Sequence, residues 1–162
     1  MKKFIFFPLV FLVFLSSCSI SKNGDDLTGF ILKMNELNES YNLSAEGFIY
    51  SEENNSIHKF FVINESEILL SFCEDTKGRL TEMNIISSDI FQDDEAVFTF
   101  LKNSLSAFIS DYDIYSEIVE TNNLSELLNS KSKETTTIKN GNIELLLDVT
   151  TIGTVISIYK DI

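Results

Sequence analysis

From Ala45 to Ser87 the chain gives up helical spacing. The stretch "EGFIYSEENNSIHKFFVINESEILLSFCEDTKGRLTEMNIIS" holds four short runs rich in Ile, Phe, Val and Tyr, separated by "EENNS", "NES" and "DTKG". Runs of this length and composition form strands, and Asn, Ser, Asp and Gly between them accept tight turns. The stretch therefore reads as an antiparallel meander of four strands. Within "IHKFFVI", alternation puts His58, Phe60 and Val62 on one face and Ile57, Lys59, Phe61 and Ile63 on the other, so both faces carry apolar side chains.

Helical periodicity brackets the meander. Leu27, Phe30, Ile31, Met34 and Leu37 form one apolar stripe, behind Asp25-Asp26, which suit the start of a helix. After Asp93-Asp94-Glu95 a second stripe comprises Val97, Phe98, Leu101, Leu105, Phe108 and Ile109. Shorter helical pieces around Ile114–Val119 and Leu124–Leu128 lead into "KETTTIKNGNIELLLDVTTIGTVISIYKDI". There Asn140-Gly141 is a hairpin signal, because both residue types accept positive φ. In "IELLLDV", Ile143, Leu145, Leu147 and Val149 alternate with outward Glu144, Leu146 and Asp148, and a last strand runs from Val155 to Tyr159. The order helix, four strands, helices, three strands predicts an α+β domain over residues 27–162: one antiparallel sheet of about seven strands with helices on one face. This order of elements resembles that of the beta-lactamase-inhibitor-protein type, in which a concave sheet face binds another protein. The likeness includes no sequence motif.

The N-terminus differs in kind. Met1-Lys2-Lys3 precedes a run from Phe4 to Leu15 that is apolar apart from Pro8. That is the pattern of a secretory signal, and it is shorter than the roughly 20 apolar residues a spanning helix needs. The tetrad Leu15-Ser16-Ser17-Cys18 then resembles the lipobox of bacterial lipoprotein precursors. The resemblance implies that residues 1–17 are removed, that the Cys18 thiol receives a diacylglyceryl group, and that residues 18–26 tether the domain to a membrane. The expected location is extracytoplasmic, on the bacterial cell membrane or the outer membrane. The competing reading is an uncleaved anchor, or an ordinary signal peptide whose Cys18 pairs with Cys73. With Cys18 lipidated, Cys73 has no intrachain partner, and it reads as a buried small hydrophobe.

Charge narrows the partners. The chain carries 12 Lys and Arg against 25 Asp and Glu, and losing Lys2 and Lys3 with the leader takes its formal charge from −13 to −15. Such acidity disfavours nucleic acid, whose binding rests on neutralising phosphates. It suits either a basic protein partner or plain solubility outside the cell.

Little in the chain points to chemistry. His58 is the only histidine, so any Ser-His-Asp or Cys-His arrangement has one possible base. The chain has no Gly-rich phosphate loop, Cys-x-x-Cys or His-x-x-x-His spacing, and no cofactor or metal is expected. Carboxylates are numerous enough for a hydrolase pair, yet Asp93-Asp94-Glu95 and Asp111-Tyr112-Asp113 are accounted for as helix ends. The sequence thus points to a protein-binding module rather than an enzyme, of the inhibitor or immunity kind. A possible partner face contains Glu144, Asp148, His58 and Phe60. A small carboxylate-dependent envelope hydrolase, or a passive surface or assembly lipoprotein, is the alternative. The second sheet face is either an open binding surface or covered by a helix or the tether.

Because the lipobox chemistry runs through one thiol, Cys18→Ala should yield an unprocessed precursor that takes up no labelled fatty acid. Persistent labelling in the variant would refute the lipoprotein reading.

Overall fold

Asp26 starts the first helix as the sequence suggests: its carboxylate accepts the Gly29 N–H at 2.7 Å, satisfying a donor with no partner inside the helix. The computed structural model describes residues 25–52, 56–87, 95–121, 124–129, 135–150 and 153–161. The leader, the Leu15–Cys18 tetrad, the tether as far as Gly24, and Asp93-Asp94 lie outside them. The elements are α1 (Leu27–Leu37), β1 (Ile49–Ser51), β2 (Ser56–Ile63), β3 (Ser66–Glu74), β4 (Leu80–Ser87), α2 (Glu95–Ile109), α3 (Tyr112–Ser116), α4 (Leu124–Asn129), β5 (Thr136–Asn140), β6 (Ile143–Thr150) and β7 (Gly153–Lys160). One wide helical turn, Glu117–Thr121, follows α3, and single 3₁₀ turns occur at Glu39–Tyr41 and Ala45–Gly47.

All seven strands form one antiparallel sheet in the order β1-β2-β3-β4-β7-β6-β5. The expected α+β architecture is present. Two meanders, β1–β4 and β5–β7, are joined by β4 pairing with β7, from Glu82 opposite Tyr159 to Ser87 opposite Thr154.

Helices cover the inner face. Phe30 of α1 meets Phe72 of β3 edge-on at 4.8 Å, and Phe100 of α2 packs on Phe61 of β2 at 4.8 Å and on Tyr41 at 5.3 Å. The Lys33 ammonium donates to the Ser106 carbonyl at 2.7 Å, linking α1 to α2. Ile118, Leu124 and Leu128 extend the same core under the β5–β6 half. Ile143, Leu145, Leu147 and Val149 are buried on this face, as the alternation in "IELLLDV" requires. At roughly 1.5–3 kcal/mol for each large side chain buried, this layer is the main source of stability.

Three details depart from expectation. In α2 Phe100 joins Phe108 as a fully buried core aromatic, while Phe98 is half-buried at the border of the stripe with the Lys102 ammonium 4.9 Å from its ring centre. The stripe is centred nearer Phe100 because that side of the helix meets both β2 and Tyr41. Cys73 is half-buried on the outer face, because Ile68, Leu70 and Phe72 take the inner positions of β3. The third concerns the β5–β6 hairpin, which turns on Gly141-Asn142. Asn140 is still paired with Ile143, and the positive φ, 57°, falls on Gly141.

Turn chemistry sets the other registers. Asp75 organises the β3–β4 connection by accepting the backbone N–H of Arg79 at 2.9 Å, that of Lys77 at 2.8 Å, and the Arg79 guanidinium. The Arg79 N–H is the largest influence holding this carboxyl at about 2, well below the usual range. Gly78, at φ 75°, supplies the left-handed step. At the β2–β3 hairpin, Asn64 and Glu65 both have positive φ, 47° and 73°, between the closing pair Ile63 and Ser66. That is the backbone of a type I′ turn, which favours Asn-Gly.

Glu65 therefore stands where glycine fits better. A left-handed L-residue costs roughly 1–2 kcal/mol, and glycine loses roughly 0.5–1 kcal/mol more on ordering, so Glu65→Gly should be stabilising by up to about 1.5 kcal/mol. A higher urea midpoint with an unchanged m-value is the expected result.

Candidate functional site

The sheet has a second face, and alternation fixes what stands on it. With the odd-numbered residues of β2 turned inward, His58, Phe60 and Val62 point away from the helices, and their partners on β3 follow: Ser71, Leu69 and Glu67. Continuing the register across the sheet produces rows perpendicular to the strands. One row runs Phe60–Leu69–Ile86–Val155–Asp148 through β2, β3, β4, β7 and β6. Its first four members are apolar, spanning roughly 14 Å at about 4.8 Å per strand. Phe60 is 69% exposed and Val62, on the next row, 73%. Ile49 of β1, opposite His58, is 64% exposed. No described element packs over these side chains.

A polar row lies beside the apolar one: His58–Ser71–Asn84–Ser157, then Leu146, ending on Thr137. Asn84 is held by Ser157, whose hydroxyl donates to its side-chain oxygen, and it donates in turn to Glu82 at 2.7 Å. The third row is Ser56–Cys73–Glu82–Tyr159–Glu144–Lys139. Acids thus stand on both sides of the apolar row and at its end: Glu67, Asp148, Glu82 and Glu144. Lys139 is the one Lys or Arg among the described residues of this face, and it pairs with Glu144 at 2.9 Å.

All four residues singled out in the sequence belong to this face, but not to one point on it. Phe60 and Asp148 end the same row, four strand spacings apart. His58 and Glu144 stand on two other rows. Glu144 pairs with Lys139, a partner that only the β5–β6 register reveals. Leu69, Ile86 and Val155 were also missed. Each is outward by simple alternation, yet only cross-strand register shows that they align with Phe60.

The one imidazole of the chain stands on this face, at His58. His58 Nε2 lies 2.8 Å from the Ser56 hydroxyl, a nucleophile–base distance, but Ser56 is buried. The other ring nitrogen, Nδ1, is buried and meets no partner among the described residues, whereas a catalytic imidazole is oriented by a third group there. No group of three or more His, Cys, Asp or Glu that could hold a metal occurs among the described residues. Nor is any described helix long and apolar enough to cross a membrane. Compared with known proteins, the chain matches no family model, no curated protein and no solved structure.

Cys73 is the one described thiol, and its surroundings suppress the thiolate. Burial pushes its pKa up, and the charge and hydrogen bond of Glu82, its cross-strand partner, push it further. Alkylation at pH 8 should accordingly be slow, and faster in Glu82→Gln, where the negative charge is gone. Equal rates in the two proteins would show that Glu82 does not govern the thiol.

Proposed function

We propose that this chain is a membrane-anchored extracytoplasmic lipoprotein that works by binding, and that the outer sheet face captures a basic protein in the manner of an inhibitor or immunity protein. The observation that carries the reading is the apolar row Phe60–Leu69–Ile86–Val155 in a setting of Glu67, Glu82, Glu144 and Asp148. An apolar centre with a charged rim is the usual anatomy of a protein interface, and the excess of acid selects for a basic partner. A hydrolase of the two-carboxylate type needs a pair of carboxyls facing each other across a pocket. Among the described residues, the cleft of about 800 Å³ beside β2 is lined by one carboxylate, Glu95.

The anchor reading supplies the placement. Ser19–Gly24 is six residues, a reach of at most roughly 20 Å. The described chain begins at Asp25, whose carbonyl accepts the Leu80 N–H at 2.7 Å. The net acidity of the chain repels it from anionic headgroups, and with this end of the sheet nearest the membrane the outer face stands roughly upright, open to a partner approaching along the membrane.

The test uses a partner retained from envelope extracts on the immobilised protein. Glu144→Lys combined with Asp148→Lys should slow association about ten-fold at low salt and much less at high salt. Folding stability should fall by about 1 kcal/mol, since Glu144→Lys breaks the ion pair with Lys139 and sets two like charges on facing strand positions. Phe60→Ser with Ile86→Ser should instead raise the dissociation rate. Wild-type kinetics in both double variants would show that the face is merely solvated.

A further inference from the structure

The edge of the sheet next to this face is only partly closed. β1 is three residues long and pairs with Ser56, Ile57 and His58. The rest of β2, Lys59 to Ile63, is paired with β3 on one side. On the other side no described strand meets it, so alternate N–H and C=O groups point outward along about 17 Å of strand. Natural edges are normally blunted by proline, bulges or outward lysines. None of these guards this one: the segment has no proline and pairs with β3 without a bulge, and its lysine turns inward, with the Lys59 ammonium 5.2 Å from the Phe48 ring centre and 5.6 Å from that of Phe61. What it shows to solvent is Phe60 and Val62.

On the inner side of the same edge lies the cleft of about 800 Å³, floored by Phe61, Tyr41 and Phe100 and bordered by Asn38, Asn64 and Glu95. An added strand would place alternate side chains in two settings: one set beside Phe60 and Val62 on the outer face, the other in the cleft. We infer that the free edge of β2, from Lys59 to Ile63, accepts an extended segment of the basic partner as an eighth strand, with one apolar side chain of that segment seated against Phe61 and Phe100. Backbone hydrogen bonds would give affinity, and the cleft and the Phe60–Val62 strip would select side chains, which is the division of labour in strand-addition recognition. Charge decides the occupant. Glu65 and Glu67 at the hairpin and Glu95 at the cleft favour Lys or Arg in the segment, and a formal charge of −13 on each chain opposes a second copy.

This rests on the binding reading, and its test separates the two. The full chain in detergent micelles is titrated with a ten-residue peptide of alternating Val and Lys. Binding should be measurable and should slow hydrogen exchange at the amides of Phe60 to Ile63. Two further peptides carry N-methyl groups on alternate residues, one on each parity. Methylation of the parity facing β2 should weaken binding at least ten-fold, and methylation of the other parity should leave it within about two-fold. Equal binding by both methylated peptides, protection at strands other than β2, or no binding by the parent peptide would overturn the inference. Ile86→Ser with Val155→Ser, far from the edge, should leave peptide affinity unchanged while weakening the captured partner. If the edge fails and this dependence persists, the face still binds; if the peptide binds as expected and this dependence is lost, the face reading alone falls.

Discussion

The pairing of β4 with β7 is the contact on which the rest of the structure depends. Each meander alone is a short sheet with two edges and an apolar face too small to bury its own side chains. Joined at β4 and β7, they make one surface broad enough for α1 and α2 to lie on. The cost is closing a loop of some seventy residues, yet loop entropy grows only with the logarithm of length, so the penalty is modest beside the area gained. A side-chain bond marks the seam: Ser157 to Asn84, on the outer face. Inside, Met83 and Ile85 lie opposite Ile158 and Ile156, all fully buried.

The seam also makes the outer face what it is. Phe60, Leu69 and Ile86 belong to one meander and Val155 and Asp148 to the other, so the row exists only because the join is in register. A slip of one residue between β4 and β7 would turn Ile86 toward a different neighbour and break the row in the middle. Core and candidate site are therefore specified by the same pairing, with the buried Ile and Met residues on one side enforcing the alignment displayed on the other.

Local pattern was enough to read the elements and their faces. Period-two alternation separated the two faces of "IHKFFVI" and assigned the inward and outward residues of "IELLLDV", and Asp26 behaved as a helix cap. Cys73 could have been placed by the same rule, because an inward Phe72 forces its neighbour outward. What escaped was register. Nothing in the run from Thr136 to Asn140 says that Lys139 stands opposite Glu144, and nothing near Ile86 says that Val155 lies beside it. Such facts depend on which strands meet after the chain has collapsed, and hydrophobic pattern alone does not state partners. In α2 the predicted stripe holds at Val97, Leu101, Leu105, Phe108 and Ile109, and Phe100 joins it because β2 and Tyr41 meet that side of the helix.

The backbone bond from Leu80 to Asp25 has a mechanical side. Among the described residues, a pull from the N-terminal side first reaches the sheet at Asp25, whose carbonyl is bonded to the start of β4. β4 is the middle strand of seven, hydrogen-bonded along both flanks, so tension loads the most firmly held part of the sheet instead of peeling a strand from its margin. Lys160, almost buried over the Phe108 ring and 3.9 Å from the Asp25 carboxylate, reinforces the same point from β7. Force from the N-terminal side is thus shared by the two strands that hold the halves together, and the margin formed by β1 and β2 stays unstrained.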